Sequence, residues 1–199
     1  MTKSVRNMRL SGGHPALDFI NTVDSRRGRW GPDLLRDYVD LINLGERTGL
    51  ISAAQVATLE DVADASPDAA AKALRFALSL RESLYRVFLE EDEGPAPPPD
   101  DIAFVETALV SASRRQVFQR DVEGWAWRPK VEIPSDLVHM LSLSAAALLS
   151  ARAGRRPVKE CKGDNCGWLF LDTSKGGRRI WCSEASCGVH SRVKRFRGG

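Results

Sequence analysis

The first 160 residues of this chain hold no cysteine, and all four that it has fall between positions 161 and 187. Nor is there an apolar run near the roughly 20 residues that a membrane-spanning helix requires. The opening stretch "MTKSVRNMRLSGGHPALDF" carries early positive charge without the apolar block of about 7 to 15 residues that follows it in a secretory signal. These absences point to a reducing, cytoplasmic address with no membrane partner, where lasting disulfides are rare. Gly-rich phosphate loops and internal repeats are missing too. No nucleophile and base stand at a useful spacing, so the sequence reads as a non-enzyme.

What is present is an ordinary globular composition over 199 residues, 43% hydrophobic and 28% charged. The charge is unevenly placed. Between Arg155 and Arg197 eleven Lys or Arg face four acids, a net of +7, which leaves −4 for the rest of a +3 chain. An acidic body with a basic end suits contact with a polyanion.

Helical signals dominate the body. Gly12 and Gly13 precede Pro15 at the expected first turn of a helix through about Val23. On it, Asp18 and Asn21 share a face beside His14, a set that serves either as loop-pinning groups or as a small ligand pocket. Leu34, Leu35, Tyr38, Leu41 and Ile42 predict a second helix ending near Gly49, and Ser52 caps a third. Ser66 and Pro67 open the longest, whose stripe runs from Leu74 through Leu84 to Phe88. "EEDEGPAPPPDD" stops it. A helix over 101–114, a β-hairpin in "RQVFQRDVEGWAWRP" and a helix capped by Ser135 complete a body expected to span 1–154. The predicted class is mostly α (α+β): a helical N-terminal domain with a β-hairpin, followed by a small four-cysteine module over 155–199.

In that module the spacing is C-x4-C, fifteen residues, then C-x4-C: Cys161, Cys166, Cys182 and Cys187. Two cysteine pairs separated by a hairpin-length gap can set four thiolates around one tetrahedral Zn2+. Disulfides and redox chemistry are the alternatives, and the reducing address counts against the first. A module of about 40 residues with few large apolar side chains also needs a staple. "WLFLDTS" and "RRIWC" read as the strands of the hairpin, and Ser183 as the cap of a terminal helix to about Phe196, which gives a treble-clef-like layout. On that helix Val189, Val193 and Phe196 form a stripe expected to pack on the hairpin. Arg192, Lys194, Arg195 and Arg197, with His190 and with Arg178 and Arg179 from the hairpin, form the candidate nucleic-acid face.

"LSGGHPALDFINTV", "CGWLFLDTS", "RRIWCS" and "CGVHSRVKRFR" together resemble the CGNR zinc finger proteins, whose N-terminal part is called the ABATE domain. The resemblance implies a stress-induced bacterial transcription regulator that binds DNA through a finger holding one structural zinc ion. With the charge split and the cysteine spacing it points to an N-terminal domain that senses a small-molecule effector or mediates association, and a single finger buries so little nucleic-acid surface that a homodimer is expected. A protein-interaction or RNA-binding module is the competing expectation. One departure stands out: Cys187, Gly188, Val189 and His190 occupy the positions of the family's Cys-Gly-Asn-Arg. His190 offers one ring donor where Arg would offer a charged fork.

Overall fold

The computed structural model describes residues 3–28, 30–122 and 124–197. Its organising element is α4 (Pro67–Leu89), started by Pro67 at the first helical position with Asp68 in the first turn, where both suit a helix N-terminus. Ala70, Ala73, Ala77, Leu80, Leu84 and Phe88 recur every three or four residues and are all buried. Around this stripe pack α1 (Pro15–Ile20), α2 (Tyr38–Arg47), α3 (Ala53–Ala65), α5 (Pro99–Arg114) and α6 (Ser135–Ser150). Ser52 and Gln55 close a capping box on α3. No helix among the described residues is long and apolar enough to cross a membrane.

The helix expected over 101–114 begins two residues earlier, at Pro99, and Ser135 is the first residue of α6 rather than its cap; two further boundaries differ for a local reason. The first helix stops at Ile20 rather than Val23, because Asn21 turns its side chain away to another partner while Thr22 Oγ1 donates back to Phe19 O. The second begins at Tyr38, where the Asp37 side chain accepts from Asp40 N–H; Leu34 and Leu35 are buried in the non-helical lead-in. The expected hairpin is present as β1 (Gln116–Asp121) and β2 (Gly124–Pro129), paired antiparallel.

A second antiparallel pair, β3 (Val158–Glu160) and β4 (Leu169–Leu171), builds the C-terminal module. This pairing is not the hairpin expected from "WLFLDTS" and "RRIWC". "LFL" pairs with the chain before the first cysteine, not with "RRIWC", which forms no strand and is tied in by Lys162 N–H donating to Ile180 O. The terminal helix also differs. Glu184–Gly188 wind as a π-helical turn, and α7 (Val189–Arg197) follows. An i→i+5 turn takes about one extra residue, which rotates the side chains beyond it by roughly 100°. Val189, Val193 and Phe196 do not pack on the hairpin, because α7 projects from the π turn with no buried residue on any face, and Phe196 is 90% exposed.

The module does not stand apart from the body. Val158, Cys161, Trp168, Leu169, Phe170 and Cys182 belong to the same continuous core as Phe19, Leu80 and Phe88. β3 and β4 lie against α4, and β4 also against α1. The scarcity of apolar side chains in the module is thus offset by burial against the helices as well as by any metal.

Candidate metal centre

The four cysteine sulfurs lie within 4.8 Å of one another. Four thiolates at about 2.3 Å from a tetrahedral zinc would sit roughly 3.8 Å apart. Cys166 Sγ to Cys182 Sγ is 3.6 Å and Cys182 Sγ to Cys187 Sγ is 3.8 Å. The donor set fits one Zn2+ with all four positions taken by protein, the closed arrangement of a structural site.

Local chemistry shapes this pocket. Cys161 N–H donates to Trp168 O at 2.7 Å, closing the first knuckle, and Cys166 N–H donates to Gly163 O at 3.1 Å. A side chain at Gly163 would meet Cys187 Cβ at 3.1 Å and its Sγ at 3.2 Å, so the turn needs glycine for the sulfurs to converge. Cys187 comes from the π turn, where Gly188 N–H donates to Ser183 O at 3.1 Å. Ser183 does not cap with its hydroxyl, which accepts instead from Arg9 Nη1 at 2.7 Å. Hydrogen bonds from the other thiols hold the Cys161 thiol far below its usual range, and that same thiolate pushes Cys166 and Cys182 far above theirs. A cation must displace those protons to draw four thiolates together.

Asp172, fully buried, completes the scaffold. It accepts from Lys159 Nζ at 2.9 Å, Ser174 N–H at 3.1 Å and Arg179 N–H at 3.1 Å. Arg179 is itself structural. Its guanidinium lies 4.3 Å from the Phe170 ring, Nε donates to Trp181 O at 2.8 Å, and Nη2 donates to Cys182 O. It braces the third ligand, and it also borders, with exposed Arg178, a shallow surface depression edged by Ser174, Lys175 and Glu184. Arg192, Lys194, Arg195, Arg197 and His190 are also exposed, all on α7. Arg192 pairs with Glu184, and Lys194 with Asp164 at 2.7 Å.

The remaining candidates, His14, Asp18 and Asn21, meet where body and module join. Asn21 is fully buried: its Nδ2 donates to Leu169 O and its Oδ1 accepts from Leu169 N–H, both at 2.8 Å. A side-chain amide so placed acts as one more backbone rung on the open edge of β4. Leu171 N–H donates to Gly12 O at 2.9 Å, the next rung. Gly12 N–H in turn donates to Asp18 Oδ1 at 2.8 Å, and a Cβ at Gly12 would meet Leu17 Cβ at 2.8 Å, which explains a glycine there. Burial, against the pull of the Gly12 and Ser11 N–H groups and Arg47, pushes the Asp18 carboxyl up to about 6. His14 Nδ1 accepts from Ala16 N–H as the cap of α1, and burial with nearby Arg155 lowers its pKa.

The seam continues along the loop after α1. Trp168 Nε1 donates to Val23 O at 2.7 Å, Arg26 N–H to Cys166 O at 2.8 Å, and Arg27 pairs with Glu160. Helix α4 clamps that loop. Arg81 donates to Asp33 at 2.8 and 2.7 Å and to Thr22 Oγ1 at 3.0 Å, while Glu82 accepts from Arg26 at 2.8 Å. Arg26 also lies 4.1 Å from the Tyr85 ring centre. Sequence reading placed Asp18 and Asn21 on one face but had no signal for their partners, which are backbone atoms 148 positions away in the case of Asn21.

Two outcomes follow. Replacing Asn21 with Ala leaves the Leu169 N–H and C=O buried without partners and should lower stability by about 2 to 4 kcal/mol. Asn21→Asp, which keeps the acceptor but sets a carboxylate against Leu169 O, should lose at least as much. Urea unfolding reads both, and an unchanged midpoint contradicts the assignment. Metal analysis of the purified chain should find one zinc per chain, with each single Cys→Ser substitution weakening its retention against a chelator. Acidification should weaken it as well, because protons compete for the same sulfurs.

Comparison with known families agrees with this geometry. The sequence profile of the ABATE family, described as "Putative stress-induced transcription regulator", matches residues 13–152. That of the CGNR zinc finger matches residues 157–198. No curated protein matches the chain. The zinc-binding cysteine cluster at the end of a helical body that the first profile spans therefore places the chain in the ABATE family, with a CGNR zinc finger as its C-terminal module.

Proposed function

We propose that this chain is a transcription regulator that binds duplex DNA through the zinc-braced finger, while the helical domain senses a small molecule or mediates association. The observation that carries this reading is the exposure of Arg192, Lys194, Arg195 and Arg197 on one short helix that grows directly out of a metal-ligand turn. The ion pairs of Arg192 and Lys194 are solvent-exposed, so they cost little to exchange for phosphates. Arg178 adds a further exposed cation, and half-buried Arg179 borders the same surface while it donates to the finger's own carbonyls.

His190 takes the place of the family's Arg. Its Nδ1 lies 2.8 Å from Ser186 O, which must accept, so the neutral ring carries its proton on Nδ1 and offers Nε2 as an acceptor. An Arg there would have offered donors only. A single ring nitrogen, Nε2, thus stands where the family motif has a charged fork, so base contacts at this position differ from those an Arg would make.

At His14, Asp18 and Asn21 the Nδ1, Oδ1 and amide groups are already used by the α1 cap, the Gly12 loop and β4, which favours the loop-pinning role over a ligand pocket. A cleft between the loop after α1 and the finger, bordered by Arg9, Trp30, Asn165, His190 and Lys194 and floored by the zinc ligands Cys166, Cys182 and Cys187, suits an effector better. Occupancy there would touch α7 directly. The outward stripe of Val189, Val193 and Phe196 favours a second reading, in which the finger meets a protein, including another copy of the chain. Ser111, His139 and Asp136 also lie in hydrogen-bonding sequence, at 3.2 and 3.4 Å. Ser111 sits within α5, where the ladder uses its N–H and leaves no oxyanion donors, so we read the three as a contact between helices rather than as catalysts.

Fluorescence anisotropy of zinc-loaded protein on duplex DNA across a salt series tests the DNA reading. Contact with about five phosphates gives a log-log slope of about −4, and Arg192→Ala with Arg195→Ala should make it shallower by nearly two. Absence of duplex binding at low salt, with zinc present, overturns it in favour of a protein partner.

A further inference from the structure

The β1–β2 hairpin carries a surface that the finger reading does not use. Its register sets Gln116 opposite Pro129, Phe118 opposite Trp127 and Arg120 opposite Trp125, so these six side chains share one face. Phe118 lies at the centre of the rings, 5.3 Å from Trp125 and nearly parallel at 19°, and 5.2 Å from Trp127 at 48°. Cross-strand aromatic pairing of this kind stabilises a two-stranded ribbon. It accounts only for the inner ring faces. Phe118 remains 54% exposed, Trp125 65% and Trp127 62%, a contiguous aromatic slab in water.

The slab is held in a fixed position. Arg115, at the foot of β1, donates to both oxygens of buried Asp136 at 2.8 Å, and Lys130 N–H donates to Arg115 O at 2.9 Å. Burial opposes the charge on Asp136, but Arg115, His139 and the Glu132 and Ile133 N–H groups outweigh it and hold the carboxyl well below its usual range. The hairpin is therefore anchored at its base to α6, and its aromatic face points away from the core.

Charge decides what would cover this face. The six residues include a cation and no carboxylate, and the segment 114–130 carries five Lys or Arg against two acids on a body that is otherwise acidic. A second copy docked face to face would bury two Arg120 guanidinium groups, and none of the six residues on either face is a carboxylate that could meet them. Exposed aromatic rings beside an arginine are instead the arrangement on which unpaired bases stack while a phosphate meets the cation. We propose that the Phe118, Arg120, Trp125 and Trp127 face is a second nucleic-acid site, one that takes single-stranded polynucleotide by base stacking, independently of the zinc finger.

Full-length, zinc-loaded protein and a fluorescein-labelled oligo(dT) of about 12 nucleotides test this. Trp125→Ala and Trp127→Ala should each weaken binding by roughly tenfold, and Trp125→Phe with Trp127→Phe should largely preserve it. Arg120→Gln, which leaves the rings in place, guards against loss of the hairpin itself and should make the salt slope shallower by about 0.7. The finger substitutions Arg192→Ala and Arg195→Ala should leave oligo(dT) binding unchanged, so failure of the duplex-DNA reading and failure of this one are separable. No binding of oligo(dT), or binding that the tryptophan substitutions leave intact, overturns the proposal. So does a dimer seen by sedimentation that Trp127→Ala dissociates while oligo(dT) has no effect, because the occupant is then another copy of the chain.

Discussion

A buried amide stands at the centre of the seam that joins the two parts of this protein. Asn21 presents donor and acceptor to Leu169 as a neighbouring strand would, and Gly12 continues the ladder at Leu171. Because β4 has only three residues and one strand partner, its other edge would otherwise be left unpaired inside the core. Buried backbone groups without partners are costly, so the N-terminal loop and the finger hairpin depend on each other. The position of α7, and of every cation it carries, follows from that pairing through β4, the knuckle and the metal ligands.

This arrangement gives the helical domain a physical route to the finger. Arg81 and Glu82 on α4 hold the 22–33 loop, and that loop hydrogen-bonds to the knuckle at Asn165 and Cys166. Arg9 reaches the hydroxyls of Ser183 and Ser186 at the start of the turn that supplies Cys187. A ligand in the cleft beside these contacts would act on the finger through groups it touches, with no need for a long chain of intermediates.

The sequence made some of this plain and hid the rest, for reasons that residues illustrate. The α4 stripe and the Ser52 cap are local patterns, and so is the cysteine spacing, since thiolates around a metal require only near neighbours and a turn. Alternation around a Gly-containing turn revealed the β1–β2 hairpin, though not that its aromatic face stays in water. Asn21 was visible as a polar residue on a short helix, but its partners are main-chain atoms, which leave no trace in side-chain identity. β3 is too short to register as a strand, so β4 was matched to "RRIWC" instead. The terminal stripe misled because an amphipathic pattern does not say whether a partner surface lies beside the helix, and α7 projects from a π turn with no residue buried. Arg179 looked like its exposed neighbour Arg178 until its guanidinium was found against Phe170.

If the Asn21 and Gly12 pairing makes helices and finger one cooperative unit, heating should lose both together. Far-UV circular dichroism reports the helices, and a chromophoric chelator reports release of zinc as the finger opens. The account predicts that the two signals share one midpoint, and that Asn21→Ala lowers both. Zinc release at a clearly lower temperature, with the helical signal intact, would contradict it.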